Sequence, residues 1–410
     1  MASIGSHHAR VALERTVSAI ASARRAALAE RYATSSLAVE WRWFAELIPI
    51  VDEWRELAEH ALEPNVFYEP AFALAAAAVY GGDVGAVLVW SGTQPRRLLG
   101  FFPARVTTRR YGVKLPVLVG WTHPYAPLGT PLVEREAVEP VVAAWLAHIA
   151  ADPSLPGLML LPLMAEDGPF AATLGTILSR TQLPGADFAR HHRALLEPQR
   201  DRAHYVETTL STHRQGELRR TSRRLTDLGA PLFTATAEAT TIAAAIEDFF
   251  ALEASGWKGK AGTAAAFQDN VRGFVMAALS GLAAEGKAAI NRLLLDGRAI
   301  AAAITLRSGD TAWYWKIAYD EKFARYAPGI LLTAALTEEL AENTAIARTD
   351  SCAGPDSILD YIWGERLRLC DRLIAVRPEA PFARACRLEM LRGAAGAAAK
   401  SIRNRFRARR

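Results

Sequence analysis

The stretch Tyr326-Ala327-Pro328-Gly329 follows a predicted strand and leads directly into a helical pattern. A related stretch, Tyr125-Ala126-Pro127-Leu128-Gly129, lies 201 residues earlier and also follows a strand pattern. The apolar run at 98–104 has a counterpart at 299–305, with the same offset. A shared offset at two separate features predicts that one folding unit occurs twice. Only the second copy continues straight into a helix, so Gly329 is expected at a helix N-terminus.

The length of 410 residues exceeds the usual size of one hydrophobic core, which fits two duplicated units. We predict a weakly ordered basic extension at 1–38, a first domain at 39–210 and a second domain at 211–385. A basic tail at 386–410 follows, and it is expected to be disordered.

Charge and cysteine content exclude several classes of protein. The formal net charge of +5 is too small for this length to indicate a general nucleic-acid binder. The spacings of Cys352, Cys370 and Cys386 fit neither a zinc motif nor a disulfide framework, so we expect free thiols and no metal. Prolines interrupt the longest uncharged stretch, 115–133, and charges interrupt the start of the chain. We therefore predict no membrane span and no secretion signal, and expect a cytoplasmic protein.

The second unit has a predicted order of helix, strand, two helices, three strands, helix, strand, helix and strand. Asp-Gly and Ser-Gly-Asp turns separate the three strands, which predicts an antiparallel meander. The predicted ranges are helix 211–228, strand 232–236, helices 240–255 and 270–285, strands 288–295, 298–307 and 311–319, helix 329–343, strand 345–350, helix 357–370 and strand 373–376. In the first unit we predict helices at 41–61, 69–80, 136–150 and 168–180, and strands at 86–90, 98–106 and 158–163. These patterns predict an α/β protein with a mixed α+β sheet.

This order, with a Pro-Gly turn between the third meander strand and its helix, resembles the GCN5-related N-acetyltransferase (GNAT) superfamily. Within it, the chain is similar to the BioF2-like or CelD/BcsL-type acetyltransferases, relatives of the Fem-type peptidyltransferases that carry two such domains in tandem. The resemblance rests on 252–258, 318–323, 326–332 and Thr349-Asp350 before Tyr361 and Trp363. It covers about residues 45 to 385 and implies two tandem GNAT domains, the first of them degenerate.

The resemblance implies a binding site for acetyl-CoA or another acyl-CoA. In the superfamily, a Gln/Arg-x-x-Gly-x-Gly/Ala loop holds the coenzyme pyrophosphate at a helix start, and residues 325–331 fit it only in part. Pro328 and Ile330 replace its glycines, although a free helix N-terminus still offers N–H donors and positive potential. The implied coenzyme-binding residues are Ile317, Tyr319, Arg325, Tyr326, Ala327, Pro328, Gly329 and Ile330. The alternative is a helix start with proline in its first turn, which needs no ligand.

Acyl transfer to an amine needs a base, donors for the thioester oxygen and often an acid for the departing thiolate. Asp350, at the end of a predicted strand, is the leading candidate for the base, and Glu253 is the second. Tyr361 matches the position of the acid in the superfamily. Trp257 and Lys258, in a glycine-rich loop, are expected to line the acceptor pocket. The alternatives are a capping residue for Asp350, a solvated helix face for Glu253 and core packing for Tyr361.

The function implied is transfer of an acyl group, with acetyl favoured, from coenzyme A to an amine or hydroxyl. The acceptor is a small molecule or a glycan precursor of the cell envelope, cellulose or an exopolysaccharide. Two alternatives stay open: a Fem-type aminoacyl-tRNA-dependent transferase whose arginine-rich helix at 214–224 holds RNA, and a non-catalytic scaffold in polysaccharide synthesis. The basic residues at 400–410 are expected either to contact anionic lipid or polymer at the membrane surface, or to have no such role.

Overall fold

The computed structural model describes residues 37–198, 202–256, 265, 268–354 and 357–407. Trp257 and Lys258, expected to line the acceptor pocket, lie outside the described residues. All but the last two residues of the predicted N-terminal extension also lie outside them.

The first half of the chain consists of strands that alternate with helices. Its strands are β1 (Ala38–Trp43), β2 (Val84–Trp90), β3 (Leu98–Arg110), β4 (Val113–Gly120), β5 (Leu132–Val133), β6 (Leu158–Ala165) and β7 (Gly185–Leu196). Its helices are α1 (Val51–His60), α2 (Pro70–Tyr80), α3 (Val138–Ala151) and α4 (Pro169–Thr181). Proline is the first residue of α2 and α4, a position where its missing N–H costs no intrahelical hydrogen bond.

The second half repeats this order. Its strands are β8 (Pro231–Thr236), β9 (Ala288–Leu295), β10 (Arg298–Ser308), β11 (Thr311–Tyr319), β12 (Arg348–Asp350) and β13 (Glu365–Ala375). Its helices are α5 (Tyr205–Thr209), α6 (Thr212–Thr226), α7 (Ile242–Ser255), α8 (Asp269–Ala284), α9 (Pro328–Glu342), α10 (Leu359–Ile362) and α11 (Phe382–Arg407). Each half begins with a strand and two helices, and an antiparallel meander of three strands comes next. After the meander, each half has a helix, a parallel strand, a second helix and a last strand. The predicted duplication is therefore present in the fold.

The described strands form one mixed sheet in the order β1-β2-β3-β4-β6-β13-β7-β12-β11-β10-β9-β8, with β5 beside β3. Within each half, the third meander strand pairs with a parallel strand, β4 with β6 and β11 with β12. The last strands are exchanged, because β13 pairs with β6 of the first half and β12 pairs with β7. The exchange places the β7–β13 pair at the centre of the sheet. The two halves, expected as consecutive domains, are thus interlocked through their final strands.

The halves also share a hydrophobic core. Helix α2 of the first half packs against α8 of the second half. At this contact the rings of Phe72 and Phe274 lie 5.4 Å apart in an edge-to-face arrangement. Both side chains are buried, and each contributes roughly 1.5–3 kcal/mol through burial.

Three predicted elements differ from the structure. Residues 41–43 of the predicted 41–61 helix belong to β1, which pairs antiparallel with β2, and the helix begins only at Val51. The predicted helix at 357–370 is the short α10 followed by β13, since Arg366 to Leu369 alternate polar and apolar side chains with the period of a strand. The tail expected to be disordered is helical from Phe382, where Ala385 and Glu389 are buried.

Candidate functional site

A cleft opens where β11 and β12 separate. The two strands pair only from Thr311–Arg348 to Trp313–Asp350. Beyond this point β11 carries a bulge, because Thr305 pairs with Tyr314 and Ile304 with Lys316, which leaves Trp315 without a partner. Cys352 turns the chain away from the sheet with a φ of 51°. The resulting space, here called the β11–β12 cleft, has a volume of about 300 Å³.

The cleft is lined by both halves of the chain. The second half contributes residues 314–317 of β11, Thr333 of α9 and residues 351–353 and 357–359. The first half contributes Pro124 and Pro127, which belong to the first copy of the duplicated turn. Trp315 fixes this turn, because its Nε1–H donates to the Tyr125 carbonyl at 2.9 Å. Residues of the first half therefore contribute directly to the site.

A hydrogen-bonded chain joins the cleft wall to the start of α9. The Thr333 hydroxyl donates to the Gly329 carbonyl at 2.8 Å, so the Tyr314 hydroxyl must donate to Thr333 Oγ1, also at 2.8 Å. Burial raises the pKa of Tyr314, which keeps its hydroxyl neutral. Burial also raises the pKa of the Cys352 thiol well above its usual value, so this cysteine is protonated at neutral pH and is a poor nucleophile.

The N-terminus of α9 is accessible at one edge of the cleft. Ala327 precedes it with a φ of 43°, and no described side chain caps the helix. Gly329 is only partly buried and Ile330 is exposed. A Cβ at position 329 would lie 3.3 Å from Tyr319 Cδ1 and 3.6 Å from Ile317 Cδ1. A side chain at 329 would therefore occupy space beside the N–H donors of the helix start.

The predicted coenzyme-binding residues surround this helix start. Ile317 and Tyr319 face Gly329 from β11, and Tyr326 is buried beneath the turn. The exposed Arg325 lies with its guanidinium 4.7 Å from the centre of the Tyr326 ring. The N–H groups of Ile330 and Leu331 both donate to the Ala327 carbonyl, at 2.9 and 3.1 Å. Pro328 supplies no donor.

Asp350 is a buried ion-pair partner and not a free carboxylate. One carboxylate oxygen accepts a hydrogen bond from Arg193 Nη2, and the other accepts the Cys352 N–H at 3.0 Å. Both side chains of the Arg193–Asp350 pair are only 3% exposed. Because both oxygens are engaged, the geometry disfavours the predicted role of Asp350 as general base. Arg193 also donates to the Pro127 carbonyl at 2.8 Å, so the pair holds the first-half turn against β12.

Tyr361 does not line the cleft. Its ring is 53% exposed and lies under the Arg214 guanidinium, at 4.3 Å. Its neighbours Ile358 and Leu359 line the cleft instead. The structure therefore disfavours the predicted role of Tyr361 as the acid.

Glu253 of α7 forms an ion pair with Lys316 of β11, and Lys316 lines the cleft. Glu253 Oε1 is 3.6 Å from Lys316 Nζ, and Oε2 accepts the Ala265 N–H at 2.9 Å. Lys316 Nζ also lies 4.4 Å from the centre of the Tyr125 ring. Burial, together with Tyr80 and Glu253, raises the pKa of Tyr125 to about 12. Of the three predicted catalytic residues, only Glu253 has a charged neighbour that reaches the cleft.

Sequence reasoning missed Tyr314, Lys316 and Thr333 as lining residues. A weak signal was present for Lys316, since a lysine within an otherwise apolar strand needs a polar partner. The contribution of Pro127 could not be predicted because it depends on the packing of the two halves.

The corresponding gap between β4 and β6 in the first half is closed. Its cavity measures about 10 Å³, roughly the minimum for a single water molecule. The Trp145 ring stacks on Phe102 at 4.2 Å and fills the space. This closure agrees with the predicted degenerate character of the first domain.

A second cavity of about 400 Å³ lies near the centre of the sheet, between the halves. Asp350 and Trp313 line it from the second half, and Glu63 and Leu128 line it from the first. Burial raises the pKa of Glu63 to about 7, opposed by the Phe170 N–H and Arg348. In the folded protein Glu63 therefore binds a proton over a pH range in which the unfolded chain has released it.

We expect replacement of Glu63 with Gln to remove a pH dependence of stability. The folded pKa lies above the value of 4.5 for a free glutamate, so the free energy of unfolding should fall as pH rises from about 4.5 to 7. At pH 8, the free energy of unfolding of E63Q should exceed that of the original protein by about 3 kcal/mol, and at pH 4 the two values should agree. Urea denaturation at both pH values measures this, with the exposed Glu59→Gln as control. Parallel pH profiles for E63Q and the original protein would contradict it.

Two further observations concern metal sites and membrane spans. Within the described ranges, no three His, Cys, Asp or Glu side chains come together as a metal site would require. No helix among the described residues combines the length and apolar character that a membrane span needs.

The sequence and the fold were compared with those of known proteins. Residues 212–361, which include β11, β12 and α9, match the family model described as an acetyltransferase (GNAT) domain. The crystal structure of FemX aligns with a TM-score of 0.52 at 8% identity and covers 79% of this chain and 95% of that chain. The C-terminal domain (DUF2156) of a putative lysylphosphatidylglycerol synthetase from Agrobacterium fabrum aligns at 0.50 and 11% identity, covering 79% and 91%. No curated protein matches the sequence.

Because the sequence identities are this low, the structural similarity shows only a shared fold. The family match covers only residues in the second half of the chain. The repeated element order extends the same fold to the first half. The second half therefore contains a GNAT acetyltransferase domain at 212–361, and the chain as a whole has the fold of two such units in tandem, of which the second has the open cleft.

Proposed function

We propose that the protein transfers an acyl group, with acetyl favoured, from coenzyme A to an amine or hydroxyl through the β11–β12 cleft. The observation that carries the proposal is the proximity of this cleft to the uncapped N-terminus of α9, where Gly329 faces the cleft-lining Ile317. A narrow cleft suits the extended pantetheine arm, and a helix N-terminus suits a pyrophosphate.

The residues around the cleft support the binding of a coenzyme. The Gly329 region would hold the pyrophosphate through backbone N–H groups, with Arg325 adding positive charge nearby. Tyr314, Thr333 and Ala353 would contact the pantetheine arm. When bound, an acyl-CoA supplies a thioester carbonyl that is activated for attack by a nucleophile.

The bulge at Trp315 is where the chain would stabilise negative charge on the thioester oxygen. A bulge leaves backbone groups of its strand outside the regular ladder, so N–H donors become available to a ligand. The amides of Trp315 and Lys316 are the candidates. Their position at the cleft wall is consistent with this role.

Glu253 and Lys316 would handle the proton of the acceptor. Glu253 Oε1 and Lys316 Nζ lie 3.6 Å apart as an ion pair, and Lys316 lines the cleft. Glu253 would take the proton that the attacking group loses, and Lys316 would hold the carboxylate in place through the ion pair. The acceptor class, a small molecule or an envelope or exopolysaccharide precursor, rests on the family resemblance alone.

Titration calorimetry with acetyl-CoA tests the proposal, followed by release of free thiol in the presence of amine acceptors. We expect Ala353→Trp, which fills the cleft, to weaken acetyl-CoA binding about tenfold because the pantetheine arm loses its space. Ala172→Trp, at an exposed position of α4, is the control and should bind normally. Unchanged affinity in A353W would place the coenzyme elsewhere.

A second candidate function is transfer from an aminoacyl-tRNA. The exposed arginines of α6 favour it, since they could contact an RNA backbone. Strongly salt-dependent tRNA binding without acetyl-CoA binding would support this alternative. Binding of neither would favour a non-catalytic scaffold. Contact of the basic helix α11 with anionic lipid or polymer remains a separate proposal.

A further inference from the structure

Helix α6 carries more positive charge than its surroundings neutralise. Among the described residues, no ion pair involves its exposed arginines. These are Arg219, Arg220, Arg223 and Arg224. The acidic residue on the same helix is the exposed Glu217.

The spacing of these arginines is electrostatically unfavourable. Arg219 and Arg223 are four residues apart, as are Arg220 and Arg224, so like charges neighbour each other on the helix surface. Their position toward the C-terminal end offsets part of the repulsion through the helix dipole. A bound anion would offset the rest, and arginine is the side chain best suited to phosphate because it donates two parallel hydrogen bonds.

The position of α6 relates this charge to the cleft. The helix packs against residues 321–326, the segment that ends at the turn before Gly329. Leu218 of α6 and Phe323 of that segment pack on the same hydrophobic cluster. At the other end of α6, Arg214 covers Tyr361 beside the cleft-lining Ile358. The helix therefore extends along the outside of the site from the cleft to the turn.

We propose that the exposed arginines of α6 form a subsite for a phosphate at the nucleotide end of the acyl donor, beyond the pyrophosphate. In coenzyme A this group is the 3′-phosphate of the ribose. The inference rests on the proposed function, because it assumes that the pyrophosphate lies at the start of α9. A nucleotide phosphate is favoured over RNA because the charge is confined to one helix beside that turn and the whole chain carries a net charge of only +5.

Calorimetric titrations with acetyl-CoA and acetyl-dephospho-CoA test this subsite, since the two ligands differ only in the 3′-phosphate. The original protein should bind acetyl-CoA about tenfold more tightly than the dephospho form at low salt. In the variant R219Q/R220Q/R223Q/R224Q the two ligands should bind equally, at the affinity of the dephospho form. Arg384→Gln/Arg387→Gln, two exposed arginines of α11, is the matched control and should keep the discrimination. Circular dichroism verifies that the variant folds.

The other possible results of these titrations distinguish failure of the subsite from failure of the proposed function. Equal affinity of the original protein for both ligands, or discrimination that survives in the variant, overturns the subsite but leaves the proposed function intact. Failure of both ligands to bind overturns the proposed function and the subsite together. Equal coenzyme affinities combined with tRNA binding that the variant loses would assign the arginines to RNA.

Discussion

Replacing Gly329 with Glu is expected to lower the affinity for acetyl-CoA about 100-fold. A carboxylate at this position would lie beside the helix N–H groups and opposite the pyrophosphate charge. At about 4 Å and an effective dielectric constant near 20, the repulsion between two unit charges is roughly 4 kcal/mol, and screening by salt reduces it. The same carboxylate interacts favourably with the helix dipole, so the fold should persist.

The control for this variant is Gly273→Glu. Gly273 is an exposed position of α8, and a Cβ there would meet no other atom within 4 Å. G273E should bind acetyl-CoA as the original protein does, and both variants should unfold at similar urea concentrations. Normal coenzyme binding by G329E would show that the start of α9 does not hold the phosphates.

Replacing Arg193 with Met should cost about 3–5 kcal/mol of the free energy of unfolding. The change leaves the Asp350 carboxylate buried without its charged partner, and an uncompensated buried charge is strongly destabilising. It also removes the donor to the Pro127 carbonyl, which holds the first-half turn against β12. Urea denaturation at neutral pH measures the loss.

The double variant Arg193→Met/Asp350→Leu distinguishes the effect of the unpaired charge on stability from the effect of lost packing. An apolar pair of similar volume can replace a buried ion pair at little cost, so the double variant should recover most of the stability that R193M loses. If the double variant is as unstable as R193M, the unpaired charge is not the cause. Full stability of R193M would mean that the ion pair contributes nothing to the junction of the halves.

The meander and the helix after it were predictable because their signals are local. Strands β9, β10 and β11 and helix α9 end within about one residue of the predicted positions, since tight turns and a proline mark their boundaries. The exchange of β7 and β13 was not predictable in this way. It depends on pairing between strands that are far apart along the chain, which no local pattern specifies.

The same distinction applies to the site. The helix start at Gly329 was evident from the turn sequence, and the structure leaves it uncapped by any described side chain. The ion pair of Asp350 was not predictable because its partner, Arg193, lies 157 residues earlier in the chain. Tyr361 was proposed because it matches the position of the acid in the superfamily, whereas in the structure its ring lies under Arg214. Site residues that depend on packing between the halves therefore require the structure.

A crystal structure of the protein grown with acetyl-CoA tests the central claim most directly. The account predicts electron density for the pantetheine arm between residues 314–317 and 351–359, with the pyrophosphate at the N-terminus of α9. Coenzyme density outside this cleft, or a saturated crystal with an empty cleft, would contradict it.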